Sequence, residues 1–83
     1  MATKNQAQEK RKILWLKKLG KHIKNLREEK GLSGSDLGAR IGVYKQHISQ
    51  IELAEVTPSI WRIKEIADAL EMPLSEFFQG VEK

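Results

Sequence analysis

Apolar residues recur along most of the chain at helical spacing, and no stretch alternates as a strand would. From about Lys10, the residues Ile13, Leu16, Leu19, Ile23 and Leu26 fall three and four apart, which sets them on one face of a helix. Leu14 and Trp15 lie off that stripe. Gly31, just after Lys30, suits the left-handed position that closes a helix. Ser33 then offers an N-cap, with Asp36 three residues on in the acidic slot of a capping box. The second helix so begun turns Leu37 and Ile41 inward and stops at Gly42. A third is predicted from about Tyr44 to Glu52, with Ile48 and Ile51 facing in. Thr57-Pro58-Ser59 opens a fourth, since proline belongs at or just before a first turn, and its stripe is Ile60, Ile63, Ile66, Ala67 and Leu70. After Pro73, the residues Leu74, Phe77 and Phe78 fit a short fifth helix. The fold class expected is all-α, and two short helices joined at Gly42-Val43 are the sequence form of a helix-turn-helix. Residues 1–9 are polar and aperiodic, which predicts a flexible arm. Residues 10–79 form the domain and residues 80–83 a tail.

The chain has 83 residues, enough for a single domain and a small core. It contains no cysteine, so disulfides, thiolate zinc sites and cysteine nucleophiles are excluded. His22 and His47 are too far apart in sequence for a helical metal pair, and no metal site is expected. There is no nucleophile–base pair, no paired-carboxylate constellation and no glycine-rich phosphate loop. An enzyme is therefore not expected, and no cofactor is. The longest apolar run, Ile13 to Leu16, is far short of the roughly 20 residues that span a bilayer. With a polar N-terminus and no signal-like stretch, a cytoplasmic protein without a membrane partner is the expectation.

Net charge is +4, unevenly distributed. Residues 1–30 hold ten bases against three acids, +7, whereas residues 31–83 hold five against eight, −3. Such asymmetry fits a polyanion partner for the basic segment; an ordinary solvated lysine face fits it as well.

Residues 19–78 resemble the Cro/repressor-like helix-turn-helix family of phage and bacterial transcription regulators. The likeness is carried by Leu26-Arg-Glu-Glu-Lys-Gly-Leu-Ser33, Asp36-Leu-Gly-Ala-Arg-Ile-Gly-Val43 and His47-Ile-Ser-Gln-Ile-Glu52. Thr57-Pro-Ser-Ile60, Ile63-Lys-Glu-Ile-Ala-Asp-Ala-Leu70 and Pro73-Leu-Ser-Glu-Phe-Phe78 continue it. The resemblance implies a compact five-helix, lambda-repressor-like domain whose first helix is extended at its N-terminus. In it Gly38 allows the second and third helices to approach, Gly42 takes a positive φ, and Arg27 pairs with Glu52. The third helix would enter the DNA major groove. On its outward face, Lys45 suits guanine, Gln46 and Gln50 suit adenine, and these three are the expected base contacts. Tyr44, His47 and Ser49 are expected at phosphates or in support. Backbone amides at Gly34, Ser35, Ser59 and Ile60, at helix starts, are further phosphate candidates.

Several positions depart from the family pattern. Gly34 stands where relatives commonly carry a phosphate-clamping glutamine, and Tyr44 where they carry a small hydroxyl residue. Leu53-Ala54 and Glu71 replace turns that usually contain glycine or asparagine, so the third helix is expected to run on or its loop to take another shape. The resemblance also implies a homodimer on a near-palindromic operator, acting as a repressor or autoregulator at the bacterial or phage nucleoid. Its expected interface is the C-terminal surface of Leu53, Val56, Trp61, Phe77 and Phe78, with Ile13-Leu14-Trp15 as the other candidate. The rival expectation is an antitoxin-like or co-regulator module that keeps the fold but works on a protein partner through exposed Leu14, Trp15 and Trp61.

Overall fold

In the computed structural model, which describes residues 4–82, the apolar stripes become five helices: α1 (Lys4–Glu29), α2 (Gly34–Ile41), α3 (Lys45–Glu52), α4 (Ile60–Ala69) and α5 (Leu74–Val81). No strand occurs among the described residues. Leu16, Leu19 and Ile23 of α1, Leu37 of α2, Ile48 and Ile51 of α3, Ile63, Ile66 and Ala67 of α4 with the following Leu70, and Phe77 and Val81 of α5 make one apolar core. Among the described residues, no polar one is buried in it. The all-α expectation holds.

The boundaries differ at both ends. The segment expected as a flexible arm is helical from Lys4; Met1, Ala2 and Thr3 lie outside the described residues. Gln, Ala, Glu and Lys form helix readily even where nothing packs against them, and without an apolar member they leave no periodic trace. At the other end α5 runs through Gly80 to Val81, which is 3% exposed, so the domain takes in the first two residues of the expected tail. Two stripe residues are not in the core. Ile13 is 42% exposed and Ile60 70% exposed, because each stands in a helical turn outside the packed interface.

Four helices close in one way. Gly31, Gly42, Ala54 and Glu71 take φ of 70°, 75°, 60° and 58°. The next amide in each case donates five residues back: Leu32 to Arg27, Val43 to Gly38, Glu55 to Gln50 and Met72 to Ala67, at 2.8–3.0 Å. The third helix accordingly does not run on past Leu53. The family turn survives at Ala54 and Glu71 without its glycine, and strained backbone takes the place of the missing residue.

At α2 the capping box is complete. The Ser33 hydroxyl accepts from the Asp36 amide at 3.0 Å, and the Ser33 amide donates to Asp36 Oδ2 at 2.8 Å. These bonds hold the Asp36 carboxyl below its usual range. Tyr44 caps α3 with no side-chain hydrogen bond, as expected from its lack of a short hydroxyl.

Candidate nucleic-acid interface

The presentation of α3 depends on two close approaches and one ion pair. A Cβ at Gly38 would lie 2.5 Å from the Val43 carbonyl oxygen, so only glycine lets α2 meet the turn this closely. A Cβ at Gly20 would collide with the Glu52 carbonyl, which seats the C-terminal end of α3 directly on α1. Beside it, Arg27 Nε and Nη2 donate to the two Glu52 carboxylate oxygens at 2.8 and 3.1 Å, and Nη1 donates to the Leu32 carbonyl at 2.8 Å. The pair is mostly shielded, with side chains 12% and 8% exposed, and the Glu52 hydrogen bond raises the Arg27 pKa above its ordinary value. The expected structural pair is therefore present, and Arg27 also closes the α1–α2 turn.

With Ile48 and Ile51 buried, Lys45, Gln46, Ser49 and Gln50 all project to solvent, and Tyr44 is 85% exposed at the start of α3. His47 is half-buried on the flank. Tyr44, Gln46, His47 and Gln50 line one shallow hollow, and Arg62 from the first turns of α4 joins them there. The sequence does not single out Arg62. Its guanidinium is held by Glu65 at 2.9 Å, and an arginine three residues after the Ser59 cap carries no signal that distinguishes it from a solvated helix residue.

Gly34 and Ser35 lie in the first turn of α2, where intrahelical partners are lacking for the amides. The Asp36 carboxylate sits in the same turn and opposes an anion there. A Cβ at Gly34 would lie 3.5 Å from Lys45 Cγ, an ordinary contact, so the position has room for a side chain beside the base of α3. The Ser59 hydroxyl is committed to its own helix, accepting from the Arg62 amide at 3.0 Å. Leu53 and Trp61 are 63% and 66% exposed and Val56 is half-buried.

Phe77 does not belong to that surface. It is fully buried, packed edge-on against His22 with ring centroids 5.2 Å apart, because its position turns it into the α1–α5 contact. Phe78 is half-buried against Trp15, with centroids 6.5 Å apart, and Trp15 Nε1 donates to Glu82 at 3.2 Å. Trp15 and Phe78 thus serve mainly to dock α5. Among the described residues, no group of three or more histidine or acidic side chains is placed to hold a metal ion. No helix there is long and apolar enough to cross a membrane.

Comparison with known proteins matches residues 23–77 to a helix-turn-helix family model. An uncharacterized HTH-type transcriptional regulator of Rickettsia conorii is 38% identical over 65 residues, covering 78% of this chain and 52% of that protein. Another, from Rickettsia prowazekii, is 37% identical over 65 residues, covering 78% of this chain and 50% of its own length. The chain spans about half the length of these curated relatives. The matched segment contains α2, the turn at Gly42 and α3 with the geometry just described, and the chain belongs to the helix-turn-helix family of the Cro/repressor-like type.

Proposed function

We propose that the protein is a sequence-specific double-stranded DNA-binding transcription regulator that reads the major groove with α3. The observation that carries the reading is the exposed row Lys45, Gln46, Ser49 and Gln50 on a short helix braced from behind by Gly20, Gly38 and the Arg27–Glu52 pair. Lysine donates to guanine and glutamine pairs bidentately with adenine, so this row has the chemistry for reading base edges. Tyr44, His47 and Ser49, with the helix-start amides at Gly34, Ser35 and Ser59, act at phosphates or in support. Arg62, facing the same hollow, joins them by exchanging Glu65 for a phosphate.

The working unit is a homodimer on a near-palindromic operator, and the role is repression or autoregulation. Leu53, Ile60 and Trp61, exposed across the α3–α4 loop and the first turn of α4, supply an apolar patch suited to a self-complementary contact. The same patch supports a second reading, in which the principal partner is another protein.

Selection from a random duplex pool tests the proposal. It should recover a two-fold motif with half-sites about one helical turn apart, bound at least about a thousandfold more tightly than random DNA. A pool that yields no motif would favour the protein-docking reading.

A further inference from the structure

The outer face of α1 has no role in the fold or in the recognition row. Between Lys10 and Lys24 the helix carries seven bases (Lys10, Arg11, Lys12, Lys17, Lys18, Lys21 and Lys24) and no acid. All seven are exposed, and none joins an ion pair among the described residues, where all three pairs lie on other side chains. Lys10, Lys17, Lys21 and Lys24 stand at i, i+7, i+11 and i+14, within one sector of the helix and away from the core stripe of Leu16, Leu19 and Ile23. They trace a line of about 21 Å at 1.5 Å per residue.

The stretch from Lys10 to Lys24 is electrostatically unfavourable on its own, since it holds no acid. Lys17–Lys21 is a like-charge pair at i,i+4, Lys21–Lys24 another at i,i+3, and the first turn has no acidic residue to meet the helix dipole. Nor does the N-terminal part of α1 pack against the core, since every residue from Asn5 to Lys12 is exposed and neither Ile13 nor Leu14 reaches the core. An extended row of negative charge relieves all of these, and the phosphate backbone of duplex DNA supplies one with closely spaced charges.

We propose that the outer face of α1 is a second, sequence-independent DNA contact, in which Lys10, Lys17, Lys21 and Lys24 engage phosphates away from the base edges that α3 reads. The inference rests on the DNA-binding reading above. The experiment compares wild type with a variant carrying Lys10→Gln, Lys17→Gln, Lys21→Gln and Lys24→Gln, on the selected duplex and on random duplex, across a salt series. Because these side chains are exposed, circular dichroism should show the variant folded. Its plot of log affinity against log salt should be shallower by up to about 3.6 for each bound protomer, hence about 7.2 for a dimer, at about 0.9 for each phosphate that a lysine no longer neutralises. Affinity should fall by the same factor on both duplexes, leaving their ratio unchanged, whereas Gln50→Ala should alter the ratio and leave the slope. An unchanged slope would overturn the proposal. So would a drop in affinity confined to the selected duplex, or a variant that is impaired only in binding phosphatidylserine vesicles. If wild type shows no sequence preference but the lysine variant still flattens the slope, α3 reading fails while the α1 contact stands.

Discussion

Ala54 and Glu71 hold φ of 60° and 58° at turns that Gly31 and Gly42 make without a Cβ. A left-handed non-glycine residue costs about 1–2 kcal/mol, offset in part by its smaller entropy loss on folding. Glu71 is exposed, so Glu71→Gly should stabilise the protein by roughly 0.5–1 kcal/mol, read as a higher midpoint in urea. Ala54→Gly should gain less, because Ala54 is half-buried and its methyl group packs against the core. Glu52→Ala has the opposite sign. It would strand the Arg27 guanidinium in a largely shielded site and should cost about 3 kcal/mol in the same measurement. Among single residues, Ser33, Asp36 and Gly42 are legible in the sequence, because they stand at positions whose chemistry admits few uses, whereas the Arg27–Glu52 pair is implied only by the family resemblance. Gly20 and Gly80 were not legible, since each is a close approach between elements far apart in sequence: Gly20 meets Glu52, and a Cβ at Gly80 would strike the His22 ring.

Among the elements, α1 is two structures in one helix. Its C-terminal half is gripped by α3 at Gly20 and Arg27 and by α5 at Trp15 and His22, while residues 5–14 pack against nothing that buries them. Hydrogen exchange should separate the halves: amides of residues 8–14 exchange far faster than those of residues 19–27, which open only with the global transition. Helix α2 depends instead on its cap. Ser33→Ala should cost about 1 kcal/mol. The lowered Asp36 pKa has a defined sign, since its contribution is present above the carboxyl's unfolded pKa and is lost as pH falls through the lower folded value. A pH titration of Ser33→Ala should therefore show less acid destabilisation than wild type in that window. The 3–4 periodicity revealed where α2 to α5 lie because each buries a stripe. It did not reveal the first six residues of α1, whose helicity has no apolar face to mark it.

For the whole molecule, a body of 44 × 25 × 21 Å takes its long dimension from α1, whose 26 residues span about 39 Å. Besides the outward row of α3, the described residues leave unused by the fold the basic line on α1 and the apolar patch of Leu53, Ile60 and Trp61. If the patch joins two copies, Trp61→Glu should shift sedimentation toward monomer and weaken operator binding while leaving the fold intact by circular dichroism. If the patch serves another protein, the variant's operator affinity should match wild type.

Whether the outward row of α3 reads base pairs is decided by measuring wild type and Gln50→Ala on the selected operator and on versions altered at single base pairs. Gln50→Ala should bind the intact operator more weakly by about 1–3 kcal/mol, and should match wild type once one particular base pair has been changed. Equal affinity of the two proteins on the intact operator would contradict base reading by this row and place the reading surface elsewhere.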